Sequence, residues 1–98
     1  MYLYTPIGAR IQVTFGASPV TITLDGGSNA ALVQAVTQNA RLSIDPTQPA
    51  TASDGMQIKA GDAARLIPLG GGESFTVQQE TATSAFYVQK VRVDWVNP

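Results

Sequence analysis

The sequence has no cysteine and no histidine among its 98 residues. No disulfide can therefore stabilise the fold, and zinc sites built from the usual cysteine and histidine ligands are excluded. The Ser–His and Cys–His pairs that activate a nucleophile are excluded for the same reason. A pair of carboxylates is the remaining option for acid–base catalysis. We expect a protein that is not an enzyme and that binds no cofactor.

Charged side chains are scarce, at 13% of residues against about 25% in a typical soluble protein. The net charge is −1, and the six basic residues are scattered along the chain. Without a basic patch to neutralise phosphates, we expect no nucleic-acid partner. A surface with few charges suits burial against other subunits, because interface cores are depleted in charge. The alternative is the neutral polar surface of a small secreted-type β domain.

Long apolar runs are missing as well. The first six residues have neither the basic region nor the apolar region of a signal peptide. No apolar run approaches the roughly 18 residues that span a membrane. We therefore expect a protein made in the cytoplasm, with no membrane partner.

The sequence is rich in alternating apolar and polar residues, the period of two that indicates half-buried strands. This alternation is clearest in residues 10–15, 20–24 and 74–78. Residues 31–37 fit a strand or a short helix, and their valines favour the strand. Further short strands are predicted at residues 41–44, 56–59, 63–69, 85–89 and 91–96. Turn signals such as Asp25-Gly26-Gly27-Ser28-Asn29 separate these runs.

This pattern predicts one all-β domain over residues 1–98, with eight or nine short strands. The expected fold is an antiparallel two-sheet sandwich, jelly-roll or Ig-like, or a small barrel of about eight strands.

The aromatic residues divide into two groups. Phe15, Phe75 and Trp95 lie on the apolar side of their predicted strands, which indicates core packing. Tyr2 and Tyr4 alternate at the N-terminus, where residues 1–8 could form an arm that docks on a neighbouring subunit. The alternative is that these residues pair with the edge of the chain's own sheet. Tyr2, Tyr4 and Tyr87 are the candidate subunit-interface residues.

The acidic residues indicate turns rather than a site. Asp45, Asp54 and Asp62 each lie beside proline or glycine, where aspartate usually hydrogen-bonds nearby backbone amides. The loop that begins at Asp25 has only one charged residue, so a plain hairpin loop is favoured over a calcium site. We therefore predict no catalytic residues and no metal site.

One part of the sequence is similar to a known family. An arginine-led strand, Arg41-Leu42-Ser43-Ile44, ends in the turn Asp45-Pro46. A loop rich in proline, threonine and serine leads to Gly55-Met56-Gln57-Ile58 and Ala60-Gly61-Asp62, and Val91-Arg92-Val93-Asp94-Trp95 closes the chain. Over residues 41–96 this order resembles small β-sandwich structural proteins of tailed bacteriophages.

The resemblance implies a virion structural protein, with a head decoration (cement) protein as the leading expectation. Such a protein would bind its own copies, as a homo-trimer or another symmetric oligomer, and the major capsid protein or tail subunits. The alternatives are a head–tail connector, a tail or baseplate component, or a glycan-binding β-sandwich module. The resemblance implies no catalytic residues, and the expected location is the virion.

Overall fold

The computed structural model describes residues 1–97, which form nine β-strands and no helix. The strands are β1 Tyr2–Pro6, β2 Ile11–Phe15, β3 Val20–Thr23, β4 Ala30–Ala35, β5 Ala40–Ser43, β6 Met56–Ile58, β7 Arg65–Pro68, β8 Ser74–Gln79 and β9 Ser84–Trp95. The ambiguous segment at residues 31–37 is mostly strand β4, which confirms the strand interpretation. No helix in this part of the chain could cross a membrane.

The strands form two antiparallel sheets that pack face to face. The first sheet has the order β7-β4-β9, and both β1 and β2 pair along the outer edge of β9. The second sheet has the order β3-β8-β5-β6. The protein is therefore a two-sheet sandwich, as predicted, and not a closed barrel.

The pairing of the strands is nested. Strand β5 pairs with β6, β4 with β7, β3 with β8 and β2 with β9. A long antiparallel ribbon that folds over on itself gives this order, which is the jelly-roll arrangement of eight strands in two sheets. The Ig-like alternative has a different strand order. Strand β1 is an addition to the eight jelly-roll strands.

The core lies between the two sheets and contains alternate residues of each central strand. Its largest fully buried side chains are those of Phe15, Phe75 and Phe86. Phe15 and Phe86 meet edge to face, with ring centroids 6.1 Å apart, a favourable aromatic geometry. The predicted core positions of Phe15 and Phe75 are confirmed.

Strand β9 differs from its prediction in length. The expected runs at residues 85–89 and 91–96 form one strand of 12 residues, Ser84–Trp95. Its apolar pattern changes face along the way. Phe86 and Val88 point into the core, whereas Val91, Val93 and Trp95 point to the opposite face, because side chains alternate along a strand.

The predicted core position of Trp95 is therefore wrong. Trp95 shares a face with Val91 and Val93, as the alternation indicated, but this is the outer face of the first sheet. Its side chain is 62% exposed.

Candidate functional site

The strand β1 and the C-terminal half of β9 form a two-stranded ribbon at one end of the molecule. The two strands pair in the register Tyr2 with Trp95, Tyr4 with Val93 and Pro6 with Val91. All five residues of β1 are exposed, including Leu3 and Thr5 on the inner side. Both faces of β1 are therefore open to solvent, unlike those of a central strand of the sandwich.

Large apolar side chains are concentrated on this ribbon and its flanking residues. Nine large hydrophobic residues are exposed in the described chain, and six of them lie here. These six are Met1, Tyr2, Leu3, Tyr4, Trp95 and Val96. We call these six residues the ribbon patch. Tyr2, Tyr4 and Trp95 share the outer face of the ribbon and Leu3 lies on its inner face, so the exposed apolar surface covers both faces. Exposed apolar surface concentrated in one place is typical of an interaction site.

Two of the aromatic rings in the ribbon patch contact each other. Tyr2 and Trp95 are direct cross-strand neighbours, with ring centroids 5.1 Å apart at an interplanar angle of 75°. The indole N–H of Trp95 donates to Oδ1 of Asn97 at 3.3 Å. The rings are held in position by contacts on the protein surface, and they remain largely exposed.

A shallow groove of about 370 Å³ lies beside the patch on the outer face of the first sheet. The small side chain of Ala30 and the half-buried Val93 lie between its two walls. The walls are formed by Tyr2 and Tyr4 on one side and by Leu66, Pro68 and Leu69 on the other. No charged side chain of residues 1–97 lines this groove, so it suits an apolar partner.

The one amide side chain of the groove is held in place by strand β9. Nδ2 of Asn29 donates to the carbonyl oxygen of Val93 at 3.1 Å, and its Oδ1 accepts from the Val93 N–H at 2.8 Å. The side chain thus replaces a backbone partner beside β9. These two bonds fix the orientation of the amide, and its second N–H is the donor that they leave unused.

The structure brings two of the three candidate tyrosines together and leaves the third apart. Tyr2 and Tyr4 lie side by side on β1. Tyr87 is on the same face of the sheet but lies six residues along β9 from Val93, about 20 Å away. It is half-buried, and the guanidinium of Arg10 lies 4.3 Å from its ring centroid. The role of all three tyrosines in a subunit interface stays a prediction.

The N-terminal residues pair with the edge of the chain's own sheet as strand β1. This pairing is the second of the two alternatives that the sequence left open for them. The sequence interpretation missed Trp95, Leu3 and the groove wall on β7. A signal for Trp95 was present, since no glycine or proline separates residues 85–89 from 91–96. An uninterrupted strand across both runs must carry its two apolar sets on opposite faces.

Two of the acidic side chains, those of Asp45 and Asp25, have well-defined partners. Oδ1 of Asp45 accepts from the N–H and the hydroxyl of Thr47, at 2.9 and 2.8 Å, and these bonds lower the pKa of Asp45. Asp25 accepts from Nζ of Lys90 at 2.7 Å, which lowers the pKa of Asp25. Within residues 1–97, no three acidic side chains gather into a group that could hold a metal ion.

One polar cluster lies away from the ribbon, on the second sheet. Nε of Arg41 lies 3.1 Å from Oε2 of Glu80, and Nε2 of Gln57 donates to both carboxylate oxygens of Glu80. Nη1 of Arg41 also donates to the carbonyl oxygen of Gly55. These contacts join β5, β6 and the end of β8, so the cluster has a structural explanation.

Comparison with protein-family models, with curated proteins and with solved structures finds no match to this chain.

Proposed function

We propose that this chain is a structural protein of a bacteriophage virion, and that it acts as a head decoration protein that binds capsid subunits and stabilises the shell. The observation that carries the proposal is the ribbon patch. Six large apolar side chains are exposed on one two-stranded ribbon of a domain whose core lies between its two sheets. The two charged side chains of the ribbon, Arg92 and Asp94, pair with each other.

Covering these apolar side chains with a partner would stabilise the complex, because it would remove their surface from water. Each aromatic ring can bury about 150–250 Å², and apolar burial stabilises a contact by about 25 cal/mol per Å². Tyr2, Tyr4 and Trp95 are between 51% and 67% exposed. Tyrosine and tryptophan are also the residues most enriched among the strongest contributors to binding. This end of the molecule therefore has the composition of an interface core.

The phage assignment depends on the resemblance of residues 41–96 to virion structural proteins. Jelly rolls occur both in viral capsid domains and in lectins. The fold is therefore compatible with a virion protein but does not distinguish a virion protein from a lectin. The low charge supports it further, because a decoration protein sits among many identical copies on a crowded shell.

The groove suggests how the shell would be bound. An apolar segment of a capsid subunit would lie between the tyrosines of β1 and the wall on β7. A protein that binds the assembled shell and not its separate subunits stabilises the assembled state. Contacts to neighbouring capsomers would add avidity, because the second contact is made at high effective concentration.

The proposal is tested by adding the purified chain to shells of the tailed phage that encodes it, prepared without this protein. We expect saturable co-sedimentation with the shells and an increase in the temperature at which the shells disassemble. The variants Tyr4→Ala and Trp95→Ala should each weaken binding by at least about tenfold. Met56→Ala is the matched control, because Met56 is 42% exposed but lies on β6. Absence of the chain from purified particles, together with no shell binding, would refute the proposal.

A head–tail connector or a tail or baseplate component is the second candidate within the same class. Connectors form one ring in each particle, whereas decoration proteins cover the shell. Quantitative mass spectrometry of purified virions separates the two, since only a decoration protein would be present in hundreds of copies.

A glycan-binding module is the alternative from a different class, and the aromatic row beside a groove is the observation that favours it. Sugar recognition also needs several free polar groups in the site, and the amide of Asn29 already makes two bonds to Val93. Glycan-array binding that is lost in Tyr2→Ala or Tyr87→Ala would favour this alternative over the virion role.

A further inference from the structure

The free edge of β1 has a hydrogen-bonding pattern that can be read residue by residue. Met1 and Val96 exchange two bonds, each backbone nitrogen donating to the other's carbonyl oxygen, and the N–H of Ile7 donates to the carbonyl of Lys90. In an antiparallel pair such bonds recur at every second residue. The odd-numbered residues of β1 therefore bond to β9, and the even-numbered residues direct their N–H and C=O groups away from it.

The even-numbered residues of β1 are Tyr2, Tyr4 and Pro6. Proline has no N–H, and its position at the open edge is the one that a sheet tolerates. The open edge thus offers four adjacent groups, the N–H and C=O of Tyr2 and of Tyr4. Beyond them, Pro6 prevents a partner strand from continuing the full ladder.

We propose that two copies of the chain associate through antiparallel pairing of their β1 strands, on a two-fold axis that passes beside Leu3. This inference rests on the proposed function, because it treats the ribbon patch as an assembly surface. The partner that it names is a second copy of the chain. In this register Tyr2 pairs with the partner's Tyr4, and Tyr4 with the partner's Tyr2. All four free groups on each strand then form hydrogen bonds, and Pro6 lies outside the pairing.

The side chains agree with the same register. On the outer face, Trp95 and Tyr2 of one copy would continue into the partner's Tyr4, and cross-strand aromatic pairs stabilise a sheet. On the inner face, Leu3 would lie directly opposite the partner's Leu3. No charged side chain precedes Arg10, so the pairing brings no like charges into contact.

The other edge strands are less suited to pairing. The outward side chains of β2 and β3 are glutamine and threonine, at Gln12, Thr14, Thr21 and Thr23. Strand β6 has three residues, and β7 has Arg65 and Pro68 at its ends. Short strands, charges and prolines are the usual protection of a sheet edge. Strand β1 combines a free edge with exposed aromatic residues.

The pairing surface is small. One five-residue strand from each copy contributes, whereas stable complexes bury about 800 Å² per partner. We therefore expect a weak dimer that dissociates in the micromolar range or above. On a shell that holds many copies, the high local concentration would favour the pairing.

The test uses engineered cysteines, because the chain has none of its own. Leu3→Cys places two thiols opposite each other in a pair without backbone bonds, where Cα atoms are about 4.5 Å apart, a separation that a disulfide accepts. The matched control is Thr5→Cys, on the same face of β1. In the proposed register its Cα lies four residues, or about 13 Å, from its counterpart, too far for a disulfide.

In a glutathione redox buffer, we expect Leu3→Cys to form a covalent dimer at least about tenfold faster than Thr5→Cys, because pairing raises the effective concentration of the thiols. Equal rates in the two variants would overturn the register. Denaturation of the Leu3→Cys chain before oxidation should remove the difference, and a difference that survives denaturation would also count against the pairing.

Sedimentation velocity over a concentration series tests the association of the unmodified chain. We expect a reversible dimer, which Tyr4→Pro weakens by at least about tenfold by removing one donor at the open edge in each copy. The N–H of Tyr4 makes no bond to β9, so the fold should persist, as circular dichroism can verify. Tyr4→Phe should associate like the unmodified chain. A chain that is monomeric at every concentration would overturn the inference.

The two proposals fail separately in these experiments. A monomeric chain that still binds phage shells would refute the β1 pairing and would not contradict the decoration function. A chain that dimerises through β1 but binds no shell would support the β1 pairing and would refute the phage function.

Discussion

The change of face along β9 can be tested by truncating one aromatic residue on each side of the strand. Phe86 lies on the inner face and is fully buried, whereas Trp95 lies on the outer face and is 62% exposed. If the core lies only between the sheets, Phe86→Ala should destabilise the fold far more than Trp95→Ala. The loss of stability is expected to be greater at Phe86 even though tryptophan is the larger residue.

The expected magnitudes follow from the buried area. A fully buried phenylalanine removes about 200 Å² from water, or about 5 kcal/mol at 25 cal/mol per Å². Measured substitutions of buried phenylalanine by alanine cost about 3–5 kcal/mol. Little more than a third of Trp95 is covered, which gives about 1–2 kcal/mol by the same conversion. The total free energy of unfolding of such a domain is about 5–15 kcal/mol, so the loss at Phe86 is a large part of it.

Urea unfolding followed by far-ultraviolet circular dichroism measures both variants, at a concentration low enough to keep the chain monomeric. With a slope of about 1–3 kcal/mol per molar urea, Phe86→Ala should lower the midpoint by about 1 M or more. The shift for Trp95→Ala should be less than half as large. If Phe86→Ala does not fold at all, Phe86→Leu leaves a smaller cavity and supplies the midpoint. Equal losses at the two positions, or a larger loss at Trp95, would refute the assignment of the faces.

Three further outcomes are expected. Trp95 is the only tryptophan and is largely exposed, so the folded monomer should emit at the long wavelengths of solvated indole and be quenched by iodide; a blue-shifted, protected emission would contradict its position. Gly55→Ala should destabilise by about 1–3 kcal/mol, because φ is +123° and a Cβ atom would lie 3.0 Å from a carbonyl oxygen of β5. Gly16→Ala is the control and should lie within about 1 kcal/mol of the unmodified chain, because its φ is not positive and the nearest atom to an added Cβ is Cγ2 of Thr83 at 4.0 Å. The ion pair with Lys90 lowers the pKa of Asp25 below 3.8, so it contributes stability above pH 4 that is lost as the pH falls through the lowered pKa. Lys90→Met should raise the pKa of Asp25 in an NMR titration, and an unchanged pKa would show that the pair does not form in solution.

Several features of the fold could be predicted from the sequence because they depend on local chemistry. The alternation around Phe15 and Phe75 specifies strands with one apolar side, and a register slip would expose that side to water. The turn residues at Asp45 and after Asp25 separate the strands through short-range hydrogen bonds. The all-β class, the sandwich and most of the strands follow from these signals.

The sequence also determined that the N-terminus carries apolar residues without charge, at Tyr2, Leu3 and Tyr4. Which groups surround them depends on contacts between residues far apart in the chain. The pairing of β1 with the last strand joins Tyr2 to Trp95, over 90 positions away. Local periodicity contains no information about such a partner.

For strand β9, the tertiary structure alone decided which face belongs to the core. Alternation identifies two sides, but the side that is buried depends on where the second sheet lies. In β9 the second sheet covers Phe86 and Val88, and the apolar side chains of Val93 and Trp95 lie on the other face of the same strand. For that reason the sequence specified the strands, and the packing of the sheets decided that Trp95 belongs to an exposed surface rather than to the core.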